Sequence, residues 1–356
     1  MEGGGLLIQV WASVAAISPE LCPELSAEGL QWPDVDAPMN SDQANALVGV
    51  IPVYLDDRFL ERYEQSSFFH TTPTKVFGQW HCSPSYRGQW SFTNCKRVGR
   101  NLIKVPMREL YKPKPDREIL HAHAHVLTAA QAASIDQNEE HIVSKTQRLL
   151  DQLLDLGDHL HILGVKVGTP RTAAEIVKFS RDELQDNGWL SYPELSRLAQ
   201  VAQIDMVEQR FLSRCKSIHE LWQRVPNGFL RALVESAGHA RSDIKDLGSL
   251  KLLQALSNIV ERLNSEDECI DAFSAGAVPS DLQDRNAALA ALFVLNELRI
   301  ADAHDAGDVL RGLESLGFDT AGLNQGFGRA LDHILDGIIA VFLHLNIELN
   351  KLLSRK

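Results

Sequence analysis

Proline punctuates one part of this chain and then gives way to a helical repeat, and that change limits the fold more than any other feature. Between residues 45 and 120 proline stands at 52, 73, 84, 106, 113 and 115. Each one removes a backbone donor and crowds the preceding turn, so no long helix fits there. The apolar runs in that region, ALVGVIPVYL, GQWSF and NLIKVPM, are short, β-branched or aromatic, and bounded by Gly, Asn and Pro, which predicts strands. GQW occurs twice, at 78–80 and 88–90, which predicts two strands of one hairpin around the turn SPSYR.

From about Ser134 the spacing becomes helical. Ile142, Leu149, Leu153, Leu156, Leu160 and Leu163 recur at mostly three- and four-residue intervals and define one face of a helix, with Gly164 expected as its stop. Further amphipathic segments are expected at 171–186, 191–203, 205–223, 228–237 and 241–263, and two strong ones at 280–303 and 326–352. Gly322, Gly326 and Gly328 are expected to shape the start of the last of these. The predicted class is α+β: a small β-containing N-terminal unit (1–120), a helical region (121–265) and a C-terminal helical bundle segment (280–356).

A net charge of -12 argues against general attraction to nucleic acid or to an anionic membrane. Five cysteines, Cys22, Cys82, Cys95, Cys215 and Cys269, form no CxxC pair and are odd in number, which predicts a reducing, cytoplasmic setting over a disulfide framework. The apolar run Leu6–Ile17 has no basic leader and is too short to span a bilayer, so it is expected to be a buried strand or helix and neither a signal peptide nor an anchor.

One segment opposes the global charge. Residues 87–117 hold nine basic and two acidic side chains, a local +7 that leaves the remainder at -19. Trp80, Tyr86, Trp90, Phe92 and Tyr111 lie among or beside them. Cations for phosphates and rings for bases are what a single strand of nucleic acid needs. The candidate contacts are Arg87, Trp90, Lys96, Arg97, Arg100, Lys104 and Arg108. The competing reading makes the aromatics core and the cations a solvated face.

HAHAH at 121–125 offers imidazoles, of which all three share a face on a strand but only His121 and His125 do on a helix. No cysteine or close carboxylate set completes a tetrahedral site, so no metal or other cofactor is expected. GxSxG, the GxxxxGKS phosphate loop, HExxH and GxGxxG are all absent.

Arginine precedes histidine by five residues in two places, Arg214–His219 and Arg299–His304. The second sits in LNELRIADAHD, after the apolar stretch AALAALFVLNEL and before a second long helical segment, with the small Ala303 ahead of the histidine. Leu298, Arg299, Ala303 and His304 resemble the Arg-x4-6-His signature of the HEPN superfamily, helical bundles found in toxin modules, antiviral nucleases and RNA-guided RNases. The resemblance covers residues 280–352 and implies a metal-independent endoribonuclease that works as a homodimer or larger assembly in a defence or toxin context. His304 would then be the general acid/base and Arg299 the phosphate and transition-state contact. Ile300 departs from the pattern, since active members carry a polar residue after the arginine. Five helical residues turn through about 140°, so the pair shares a site only where the helix ends or where a second protomer completes it. The alternative expectation is a non-catalytic helical scaffold, a subunit of a larger assembly.

Overall fold

The computed structural model describes residues 26–47, 50–274, 276–301 and 306–355. The chain is α+β and divides into two compact units, Met1–His141 and Ile142–Lys356. The run Leu6–Ile17 lies outside the described residues.

The first unit is built on an antiparallel sheet. Its strands are β1 (Pro52–Asp56), β2 (Thr74–Val76), β3 (Gln79–His81), β4 (Ser85–Tyr86), β5 (Trp90–Ser91), β6 (Lys96–Arg97), β7 (Leu102–Pro106) and β8 (Val126–Leu127). Six of them pair in the order β2-β3-β6-β7-β1-β8, while β4 and β5 pair separately. The register of the central pair sets Val53 opposite Val105 and Leu55 opposite Ile103, all four buried, and turns Tyr54 and Lys104 to the other face. A helix, α1 (Asp116–His123), contributes buried Ile119 and Ala122. Its Glu118 accepts a hydrogen bond from the Tyr63 hydroxyl at 2.7 Å and an ion pair from Arg62 at 3.0 Å.

The two GQW copies are not partners of each other, which corrects the expected single hairpin. Gly78 closes the β2–β3 turn and Gly88 the β4–β5 turn. In both, two consecutive residues take positive φ: Phe77 and Gly78 at 48° and 78°, Arg87 and Gly88 at 44° and 72°. The β2–β3 connection is a two-residue turn of the kind that matches the twist of the strands it joins, the β4–β5 connection adds Gln89, and in both the glycine supplies left-handed backbone. The echo therefore records one turn chemistry used twice.

The second unit is helical. Its helices include α2 (Ile142–Lys166), α3 (Pro193–Leu198), α4 (Glu208–Trp222), α5 (Ser249–Ser265), α6 (Pro279–Gln283), α7 (Ala290–Ala301), α8 (Ala306–Ser315) and α9 (Gly328–Ser354). All six predicted α2 residues, Ile142 to Leu163, are buried. Gly164 is not its stop. The helix continues to Lys166 and ends at Gly168, whose φ of 80° lets Thr169 N–H return to the Gly164 carbonyl at 2.7 Å. Gly164 is instead a close-approach site, where a Cβ would stand 2.7 Å from the Thr169 oxygen. The expected helix over 280–303 is interrupted before α7, where Asn286 caps a single 3-10 turn with its side chain on Ala288 N–H at 2.9 Å.

α2 and α9, the first and last helices of this unit, lie together. Lys145 Nζ meets Asp336 at 2.5 Å, and Asn346 bonds both the Gln152 carbonyl (2.9 Å) and His159 Nδ1 (3.0 Å). Sequence separations of 191, 194 and 187 across these ties mean that the two helices run parallel. Gly326 and Gly328 let the start of α9 press on the backbone of 203–205, where a Cβ on either would come within 2.3 Å of it, whereas Gly322 borders open space. Among the described residues α9 is the one helix long and apolar enough to cross a membrane, and 61% of that stretch is buried within the unit.

Candidate functional site

The cationic segment of the first unit separates into inward and outward residues. Arg97, 5% exposed, points inside: its guanidinium meets Asp57 at 2.9 Å, Glu64 at 3.2 Å and Cys82 Sγ at 3.0 Å. Burial works against its charge, but Cys82, Asp57 and Glu64 outweigh that and raise its pKa further. Arg100 is 1% exposed and reaches Asn101 Oδ1 at 3.3 Å. Trp90 is buried in an aromatic cluster with Tyr63, Phe69 and Phe92. Arg97, Arg100 and Trp90 are therefore interior groups and present no side chain to a passing strand, which corrects the expectation for those three.

Arg87, Lys96, Lys104 and Arg108 remain outside. Arg87 and Arg108 are exposed and the two lysines half-exposed. Arg87 projects from the β4–β5 turn over the rings of Phe68 (5.5 Å) and Tyr86 (5.9 Å). Lys96 of β6 stands directly opposite Lys104 of β7, and Lys104 Nζ lies 5.7 Å from the Tyr54 ring on β1. Like charges at opposed sheet positions repel. His81, opposite Lys96 on the β3 side, has its pKa lowered by burial and by that lysine. Two cations and a ring thus share a row across neighbouring strands.

The HAHAH segment folds as the end of α1, so His121 and His125 share a face and their rings lie 4.6 Å apart. Each imidazole is spent on a backbone carbonyl: His121 on Phe59 (3.0 Å), His123 on Gln31 (2.9 Å) and His125 on His121 (2.9 Å). Burial lowers the His121 pKa to about 4. Cys82 and Cys95 are buried thiols with raised pKa values, again chiefly through burial. Among the described residues no group of three His, Cys, Asp or Glu side chains is placed to hold a metal ion.

The two Arg-x4-His pairs have different surroundings. Arg214 is a structural cap. Its guanidinium donates to the carbonyls of Arg197, Leu198 (2.8 Å), Gln200 (2.9 Å) and Val201 (3.1 Å), closing the end of α3. Arg299 lies on α7, two residues before Ala301, the last residue described before 302–305, and α8 is described from Ala306. Its Nε donates to Asn296 Oδ1 at 3.0 Å, one turn earlier. Ile300 beside it is 48% exposed. His304 lies outside the described residues, as does Asp302.

Arg299 does act on a histidine within the described residues. His219 of α4 is 2% exposed, and its pKa is lowered to about 4 by burial first and then by the Arg299 charge. Helix packing of α7 on α4 thus associates the arginine of one pair with the histidine of the other. Neither His219 nor Asn296 was an expected partner of Arg299. The Asn296–Arg299 spacing is readable on a helix, but the His219 relation depends on which helices pack together. No family model, curated protein or solved structure matches the chain.

Proposed function

We propose that the chain is a metal-independent RNA-cleaving protein of HEPN type, in which Arg299 engages the scissile phosphate and His304 moves the proton. The observation that supports this reading is the Arg299 guanidinium on α7, whose Nε is held by Asn296 Oδ1 at 3.0 Å. The Asn296 bond to Nε orients the guanidinium, and a guanidinium that keeps its charge suits a phosphate that gains negative charge in the transition state. Exposed Ile300 (48%) and Leu310 (41%), on α7 and α8, give a second copy an apolar surface to cover, in line with a dimeric enzyme.

In this proposal Arg299→Ala and His304→Ala each lower cleavage of a single-stranded RNA by at least about 10²-fold, the usual scale for a lost general acid or charge-stabilising contact. Both variants keep wild-type helicity, and EDTA does not change the wild-type rate. Full cleavage by the His304→Ala protein rejects the assignment.

A second reading, RNA binding without cleavage, is favoured by the opposed pair Lys96 and Lys104. Its mark is a salt-sensitive complex whose log K against log salt slope shrinks by about 1.4 when both lysines become glutamine, given roughly 0.7 per phosphate contact on a single strand.

A further inference from the structure

The strand registers of the first unit bring six side chains into one row that crosses its larger sheet from edge to edge. Thr74 stands opposite His81, His81 opposite Lys96, Lys96 opposite Lys104, Lys104 opposite Tyr54 and Tyr54 opposite Leu127. Opposed positions share a face, so the row lies on the side away from Val53, Leu55, Ile103 and Val105. Tyr54, Lys96, Lys104 and Leu127 are all half-exposed. Two residues along the same face, exposed Pro52 stands opposite half-exposed Pro106 and widens the apolar floor beside Tyr54.

The basic segment 87–117 leaves little of its charge elsewhere for a ligand. Arg97 is enclosed by acids, Lys112 pairs with Glu109 at 2.6 Å, and Lys114 donates to the carbonyls of Glu109, Leu110 and Lys112. Lys96 and Lys104, by contrast, have no ion pair among the described residues. Asp56, the next residue of β1 on their face, is turned to Arg58 N–H at 2.9 Å. The two lysines repel each other, and burial and then the Lys96 charge lower the pKa of the neighbouring His81. The potential along the row is therefore positive, and an anion placed over it relieves the repulsion.

The arrangement asks for more than an anion. Adjacent strands lie about 4.8 Å apart, so Lys104 is one strand from Tyr54 and Lys96 is two, roughly 10 Å away. Lys104 Nζ is 5.7 Å from the centre of the Tyr54 ring. A ring with prolines beside it and cations along one side fits a ligand that joins a planar apolar face to phosphate.

We infer that this face is a base-stacking platform. One base of a single-stranded RNA lies on Tyr54 beside Pro52 and Pro106, and its adjoining phosphates lie over Lys104 and Lys96. The RNA thus crosses the β-strands. This rests on the RNA-binding reading above and adds to it the contact with the base, which two lysines alone do not supply.

The test is fluorescence anisotropy of the full chain with a labelled, 2′-O-methylated oligouridylate, which has no 2′-OH to be attacked, and with the same backbone made abasic. The unaltered protein should bind the abasic strand at least about fivefold more weakly, the lower end for a lost base–aromatic stack. Tyr54→Leu should cost the base-bearing strand a similar factor with the salt slope unchanged, and should bind both strands alike. Tyr54→Phe keeps the ring and should keep the affinity. Phe77→Ala removes a fully exposed ring outside the row and should change nothing. Equal affinity of the unaltered protein for the two strands, or a loss in Phe77→Ala without one in Tyr54→Leu, overturns the platform and leaves RNA binding by charge standing. Binding of neither strand rejects RNA binding itself, and the platform with it.

Discussion

Arg97 enters the interior of the first unit with two carboxylates and a thiol around it, and its partners lie 40 and 33 residues away in the chain. Asp57 is wholly buried and also accepts from Asn101 Nδ2 at 3.0 Å. Removing one member of such a set leaves the other charges enclosed without compensation. Arg97→Met is therefore expected to destabilise the protein by about 3–5 kcal/mol, measured by urea unfolding. Arg108→Met, which changes an exposed side chain, should stay within about 0.5 kcal/mol. A loss under 1 kcal/mol for Arg97→Met would mean that the pair adds little to the fold. Composition makes the +7 segment visible, but it cannot divide that segment into Arg97 and Arg100 inside and Lys96 and Lys104 outside. That division depends on strand register, where a shift of one residue exchanges the two faces.

The two positive-φ turns are the elements that the sequence echo encodes, and they use unequal residues. Glycine takes the second turn position in both, but the first falls to Phe77 and Arg87, where a side chain is strained. Arg87 has the Phe68 and Tyr86 rings beneath it, whereas Phe77 is fully exposed (102%). Phe77→Asn would install the Asn-Gly pair that this turn favours, and should stabilise the protein by about 1 kcal/mol in urea unfolding. An unchanged or lower midpoint would show that the phenyl ring has a stabilising contact in solution. Helical elements were easier to read than these strands, because α2 repeats one face over 25 residues while β4, β5, β6 and β8 hold only two residues each. The end of α2 differs from the expected stop at Gly164 for a specific reason. Both Gly164 and Gly168 look like stops, and only the backbone return from Thr169 separates a cap from a close approach.

At the scale of the whole molecule, burial disfavours the charged form of several described histidines, among them His121 and His219 with pKa values lowered to about 4 and His141 to about 3. In the unfolded chain imidazoles gain protons as pH falls through about 6.5. The folded sites resist protonation down to pH 3–4, so unfolding takes up protons throughout that interval. Stability should then fall between pH 6.5 and 4, each proton taken up contributing about 1.4 kcal/mol per pH unit. Urea midpoints at pH 7, 6 and 5 test this, and a flat series would show that the imidazoles are charged in the native state. The α+β division was readable because the change in periodicity is long and abrupt. The surroundings of Arg299 and a polar cavity of the second unit were not, since Arg299 with His219, and separately Glu261 with His344, meet only through helices distant in sequence. The pairing of α2 with α9 also bears on how the protein is made. These parallel helices are separated by nearly 200 positions, with ties spanning 187 to 194 residues. At translation rates of roughly 5–20 residues per second, the leucine face of α2 waits about 10–40 seconds on the ribosome before its partner helix has been synthesised. During that delay the nascent chain presents an uncovered apolar surface, which makes chaperone supply a determinant of its yield.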